Sequence, residues 1–211
     1  MTTDSKKEGS TGYSEEEVLE NLIKTIEAAK SGAIDYTPIL PDVLEDLKWT
    51  VVTAWHKETF GENGLLGRDN KSEVILTRYL LKALKKYNPN LPDLAYDQAI
   101  EILEQKIADK TLGRSNKEKY EFLKNGVPVS FTNNKGDLVK KKLKVFNFSD
   151  YLDNEFLAVR QLEIVGELYQ RRPDVIGFVN GIPLIFMELK AHHSDLRNAY
   201  DNNLSDYKDT I

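Results

Sequence analysis

The chain has no cysteine among its 211 residues. That excludes a disulfide framework, a thiolate zinc site and a cysteine nucleophile. No apolar run approaches the ~20 residues that span a bilayer. The N-terminus also lacks the apolar core of a secretory signal, so the expected location is the cytoplasm, with no membrane partner. No Gly-x-x-x-x-Gly-Lys-Ser/Thr occurs, which excludes ATP hydrolysis by a P-loop in this chain. There is no internal repeat, hence no solenoid. Positive charge is not in excess: the formal net charge is −5, against a broad basic surface coating DNA. A local basic surface stays open, because carboxylates gathered around a metal themselves lower the formal charge.

What is present reads as one globular domain, or one domain with a helical part appended. Residues 1–12 are small and polar and are expected to be a disordered tail. Ser14-Glu15-Glu16-Glu17 has the form of a helix start, a hydroxyl cap followed by acids at the positive helix end. Val18, Leu22, Ile26 and Ala29 then recur at helical spacing until Gly32. A short helix is expected over about 42–47, with Trp49 to Trp55 a strand or a turn. Glu58 to Asn70, with Gly61, Gly64 and Gly67, reads as an exposed loop. Ser72 or Asn70 would cap a helix running to Asn88-Pro89. Two more helices are expected, one opening at Asp93 or Tyr96 and running through Ile107, the other over about 116–124.

From Val127 the apolar period changes to two, and turn-rich residues 133–137 join two alternating runs, a hairpin. Residues 156–169 mix both periods, with a strand suggested by Glu163, Val165 and Leu168. Residues 195–207 return to helical spacing. Helices, then strands, then a helix imply an α/β or α+β fold with a mixed sheet.

One stretch stands apart: Arg171-Arg172-Pro173-Asp174, two apolar β-rich runs around Asn180-Gly181, then Glu188-Leu189-Lys190. Asn-Gly between such runs is a strong hairpin signal. Charges sit only at its open end, where burying an ion costs several kcal/mol unless it is paired or metal-bound. Glu188 and Lys190, two apart on a strand, share a face. Asp174 joins them only under a register condition. A plain two-residue Asn180-Gly181 turn pairs Val179 with Ile182 and Asp174 with Met187, turns Asp174 away from Glu188, and would count heavily against a site here. A three-residue loop, or a bulge adding one residue, restores the match. Two carboxylates on one face suit Mg²⁺, which takes few protein oxygens and keeps its waters. The bland alternative is a structural Asp–Lys–Glu ion pair at a sheet end.

Pro173-Asp174 followed by Glu188-Leu189-Lys190 resembles the PD-(D/E)xK nuclease motif. The wider wording, with Asn180-Gly181-Ile182-Pro183-Leu184 and Met187, is similar to the N-terminal nuclease domain of type I restriction enzyme R subunits. Glu73-Val74-Ile75-Leu76, Ala83-Leu84, Asn88-Pro89 and Asn125-Gly126-Val127 share that resemblance, which covers the chain from about Arg68 onward. It implies a restriction-endonuclease-like mixed sheet flanked by helices, with residues 13–67 a helical extension and 68–211 the nuclease domain. It also implies Mg²⁺-dependent hydrolysis of double-stranded DNA. Asp174 and Glu188 would hold the metal with the Leu189 carbonyl, and Lys190 would be the catalytic lysine. Glu73 is the candidate for a further acidic ligand; its alternative role is to complement a helix dipole. A Gln-x-x-x-Tyr motif of some relatives aligns here with Asn203 and Tyr207, a shorter amide in place of glutamine. By position rather than by resemblance, Arg171 and Arg172 lie close to the proposed site and are candidates to touch the scissile strand.

The resemblance further implies a longer protein whose motor uses ATP, and partner methyltransferase and specificity subunits. Rival readings are a non-catalytic subunit-docking domain and a repair or recombination nuclease of the same fold. His192-His193 reads as an exposed loop rather than a ligand pair. The strip Lys140-Lys141-Lys142-Leu143-Lys144 is either the solvated face of a strand or a phosphate-positioning strip.

Overall fold

A computed structural model describes residues 39–105, 112–133, 135–166 and 170–189. The expected tail and first helix at the N-terminus, Lys190, the histidine pair, Asn203 and Tyr207 lie outside the described residues.

Within them the order is helix α1 (Ile39–Asp46), strand β1 (Thr50–Thr53), helices α2 (Thr77–Tyr87), α3 (Asp93–Glu104) and α4 (Leu112–Asn125), and then strands. These are β2 (Val127–Thr132), β3 (Leu138–Leu143), β4 (Phe156–Arg160), β5 (Ile164–Val165), β6 (Gln170–Arg171), β7 (Val175–Val179) and β8 (Ile182–Met187). The principal sheet has four strands in the order β1-β4-β7-β8. β1 runs parallel to β4, and the other two pairings are antiparallel. The fold is mixed α/β, as expected. The ambiguous 49–55 stretch supplies the sheet's parallel strand. Within the 13–67 stretch expected as a helical extension, β1 pairs with β4 in the main sheet.

Alternation along the strands sets the layers. Leu157, Val159, Ile176 and Phe178 point to one face, where Leu66, Leu76, Leu162 and Ile164 cover them. Ala158 and Val175 point to the other, under Leu44 of α1 with Trp49, Val51 and Met187 beside them. Burying each large side chain is worth about 1.5–3 kcal/mol, so both faces of the central strands are fixed. Trp49 lies flat over Gly177, where an added Cβ would meet its ring at 3.0 Å. A third apolar cluster joins α2 and α3 to the β2–β3 hairpin through Leu80, Leu84, Tyr96, Leu103, Val127 and Leu143.

Two expectations are corrected. The helix expected from residue 70 or 72 begins only at Thr77. Asn70 Oδ1 instead accepts the Ser72 N–H at 2.9 Å, a local turn that competes with helix. Leu76 starts α2 by donating its N–H to the Gly181 carbonyl at 2.9 Å. The Gly-rich 58–70 stretch is a loop, but only partly exposed: Gly64, Leu66 and Arg68 are buried. Arg68 within it is 1% exposed, and its guanidinium grips the Glu58 carboxylate through Nε at 2.8 Å and Nη2 at 2.6 Å. The same guanidinium donates to the carbonyls of Glu73 at 2.8 Å and Glu163 at 3.0 Å. The pair staples the loop to the strand region beyond β4. The lysines of β3 and Lys144 are exposed, which agrees with a solvated strand face.

Candidate active site

The hairpin turn is plain: Val179 pairs with Ile182, and only Asn180 and Gly181 lie between. Both have positive φ, 49° and 81°, the conformation that a two-residue hairpin turn of this type demands. The odd residue expected at the turn is absent there. It sits further along β8 instead. Phe178 pairs with Pro183, but Gly177 pairs with Ile185, so Leu184 is a β-bulge. Beyond it the register runs Ile176 with Phe186 and Val175 with Met187. Continued one residue past the last observed pair, that register would set Asp174 opposite Glu188. Residues directly opposite on antiparallel strands share a face. The bulge therefore meets the register condition, in one of the two ways that the sequence allows, and re-aims the strand end.

Gly181 is needed twice. Its φ is positive, and a Cβ there would lie 2.4 Å from the Leu76 carbonyl oxygen. Asn180 tolerates the left-handed region as few other residues do. It is 2% exposed, and its Oδ1 accepts from Glu155 N at 2.8 Å. Its Nδ2 donates to Val145 O at 2.8 Å and to Asn154 Oδ1 at 2.9 Å.

At the open end, the Asp174 carboxylate is aimed by two donors. Gln161 Nε2 donates to Oδ1 at 2.8 Å, and the Leu189 N–H donates to Oδ2 at 2.6 Å. The main chain of Gln161 donates to the Asp174 carbonyl at 3.0 Å. Gln161 itself has φ 54°, an uncommon conformation for a residue other than glycine. Asp174, Glu188 and Leu189 are all half-buried, and the Glu188 Oε2 atom is enclosed. Each carboxylate oxygen of Asp174 keeps a second lone pair beyond its hydrogen bond. The Asp174–Leu189 bond brings the Leu189 backbone to the same point.

Asp174 and Glu188 carry hard carboxylate oxygens of the kind Mg²⁺ takes, few in number and with its remaining positions left to water. No group of three His, Cys, Asp or Glu side chains that could hold a metal occurs among the described residues. Glu73 is not drawn to this point. Its carboxylate accepts the Asp69 N–H at 3.1 and 3.2 Å and the Asn70 amide at 3.3 Å. Its charge acts instead on Glu104, whose carboxyl is held above the usual range by burial first and by Glu73 second. Arg171 is half-buried at β6. Arg172 is exposed, with its guanidinium carbon 4.3 Å from the centre of the Trp55 ring. Gln161 and Trp55 escaped the sequence reading. A polar residue ending an apolar strand, and a tryptophan following one, carry no local mark of such roles.

Residues 34–211 match the family described as the type I restriction enzyme R protein N terminus. The chain belongs to that family. It is 34% identical over 172 residues to the type I restriction enzyme HindI endonuclease subunit of Haemophilus influenzae, covering 80% of this chain and 16% of that one. It is 30% identical over 151 residues to a putative type I restriction enzyme MjaIXP endonuclease subunit of Methanocaldococcus jannaschii, covering 67% and 14%. At 22% identity, over 69% of this chain and 19% of its own length, a Ras and EF-hand domain-containing protein of Xenopus tropicalis is also similar; it carries no functional argument. The chain thus spans less than a fifth of the length of each of these relatives. As a domain of the R protein family, it gives the open end of the hairpin a chemical context.

Proposed function

We propose that this chain is the nuclease domain of a type I restriction enzyme R subunit and that it hydrolyses phosphodiesters of double-stranded DNA with Mg²⁺. The observation that carries the reading is the bulge at Leu184, whose register, ending at Val175 with Met187, supports Asp174 and Glu188 facing one side when continued by one residue. Asp174 and Glu188, with the Leu189 carbonyl, would hold the ion. When bound, Mg²⁺ supplies Lewis-acid polarisation of a phosphodiester oxygen and lowers the pKa of water. Gln161 and the Leu189 N–H keep the Asp174 oxygens aimed, so that little reorganisation accompanies binding. Lys190, two residues after Glu188 in sequence, would orient the attacking water or offset charge developing on the phosphate. Asn203 and Tyr207 are proposed contacts to DNA on the segment that follows. In the whole protein, DNA would be delivered by an ATP-driven motor, and the cleaved molecule chosen with methyltransferase and specificity subunits. Such an enzyme would work in the cytoplasm.

The absence of a three-residue metal cluster among the described residues favours a second reading, a subunit-docking domain without catalysis. One experiment separates the two. In the full-length enzyme, Lys190→Ala is expected to lower the DNA cleavage rate by about 10²–10⁴-fold and to leave DNA-dependent ATP hydrolysis at the parent rate. Unchanged cleavage would exclude the catalytic role of Lys190. Loss of both activities together would point to misfolding, and circular dichroism of the variant decides that.

A further inference from the structure

The Trp55–Arg172 stack lies at the same end of the sheet as the carboxylate pair. The Ala54 N–H donates to the Arg160 carbonyl at 3.0 Å, Arg160 pairs with Val175, and Asp174 is the next residue. Arg172 is two residues before Asp174, with buried Pro173 between them. Trp55 is 45% exposed, so its ring face is open to solvent. Its indole supports two flat groups, the Arg172 guanidinium at 4.3 Å and the His56 imidazole at 4.4 Å. No hydrogen bond or ion pair engages Arg172 among the described residues. Stacking uses the face of a guanidinium and leaves its edge N–H donors in a fixed fork, the geometry that takes phosphate by paired hydrogen bonds.

We propose that Trp55 and Arg172 form a phosphate-binding fork that seats the DNA backbone beside the Asp174–Glu188 pair. Trp55 is the positioning residue and Arg172 the contact. The inference rests on the nuclease reading for the identity of the ligand, but it acts without metal and without cleavage. The chain has two tryptophans, and Trp49 is packed against Phe156 with ring centres 5.2 Å apart. A Trp49→Phe background therefore leaves Trp55 as the sole reporter.

The test titrates the 211-residue chain in that background with a short DNA duplex in EDTA, following Trp55 emission, and measures affinity separately by anisotropy of labelled duplex. The duplex is expected to change Trp55 emission. Arg172→Ala is expected to weaken binding about tenfold and to lower the slope of log affinity against log salt by about one. Trp55→Ala should weaken binding to a similar degree, Trp55→Phe should retain most of the affinity, and the double alanine variant should be no worse than either single one. Parent-like affinity and salt slope in both single alanine variants would overturn the fork, as would a Trp55 signal that does not respond to duplex. Additive losses would overturn the positioning role of Trp55. Because metal is absent throughout, a failure of metal binding at Asp174 would sink the catalytic reading while leaving this result standing.

Discussion

Replacing Glu58 with alanine is expected to destabilise the domain by about 3–5 kcal/mol. The reason is the Arg68 guanidinium, which is buried and paired with Glu58 by two hydrogen bonds of 2.8 and 2.6 Å. Removing the carboxylate leaves a positive charge in the interior that cannot be shed, since arginine does not deprotonate in proteins. A loss of that size is about a fifth or more of the stability of an ordinary domain. The change should appear as a lower urea midpoint with an unchanged slope. Replacing both residues with methionine should recover only part of it. The carbonyls of Glu73 and Glu163, which Arg68 now satisfies, would stay without their donor, and each such loss costs about 1–3 kcal/mol. A loss below 1 kcal/mol in Glu58→Ala would mean that the pair is solvated and does not hold the loop. The effect reaches the site as well. Glu163 follows Gln161 by two residues, and Gln161 aims Asp174, so the variant should loosen the carboxylate before the sheet melts.

The second large effect is expected at the closed end of the hairpin. Asn180→Ala should cost about 3–5 kcal/mol. It removes three buried side-chain hydrogen bonds, and the Glu155 N–H, the Val145 carbonyl and the Asn154 amide oxygen each lose a partner. Leaving buried polar groups unmade costs about 1–3 kcal/mol apiece, and alanine at a φ of 49° adds about 1 kcal/mol. Asn154 cannot compensate by turning its amide over. Its Nδ2 already donates to the carbonyls of Asn147 and Tyr151, and its Oδ1 accepts from the Asn147 N–H. Asn180→Asp should be nearly as damaging at neutral pH, because it sets a carboxylate oxygen against two oxygen acceptors. Thermal melts of the three proteins side by side decide the matter; an aspartate variant as stable as the parent would show that the network tolerates an oxygen there.

The sheet's centre could be read from sequence because apolar runs and Asn-Gly turns are local signals. The position of the turn was legible, but the odd residue expected in it is not there: Val179 pairs directly with Ile182. The bulge did not show. Leu184 lies within Ile182-Pro183-Leu184-Ile185-Phe186-Met187, and in an unbroken apolar run no alternation marks where one residue drops out of the ladder. The need for an extra residue was nevertheless legible, since Asp174 and Glu188 cannot face each other without one. The stretch at 58–70 was legible as a loop but its buried residues were not, because glycines and charges usually mean solvent. Nothing within it says that Arg68 finds Glu58 ten residues back and a carbonyl ninety-five residues on. Glu73 suffered the opposite error: first-turn chemistry was assumed for a helix that starts four residues later.

The central claim is that Asp174 and Glu188 together hold a divalent ion. Calorimetric titration of the 211-residue chain with Mn²⁺, with a DNA duplex present, measures it directly. The parent is expected to bind the ion, and Asp174→Ala and Glu188→Ala are each expected to weaken binding at least tenfold while unfolding at urea midpoints close to the parent's. A parent that takes up no Mn²⁺, or an Asp174→Ala variant that titrates as the parent does, would contradict it.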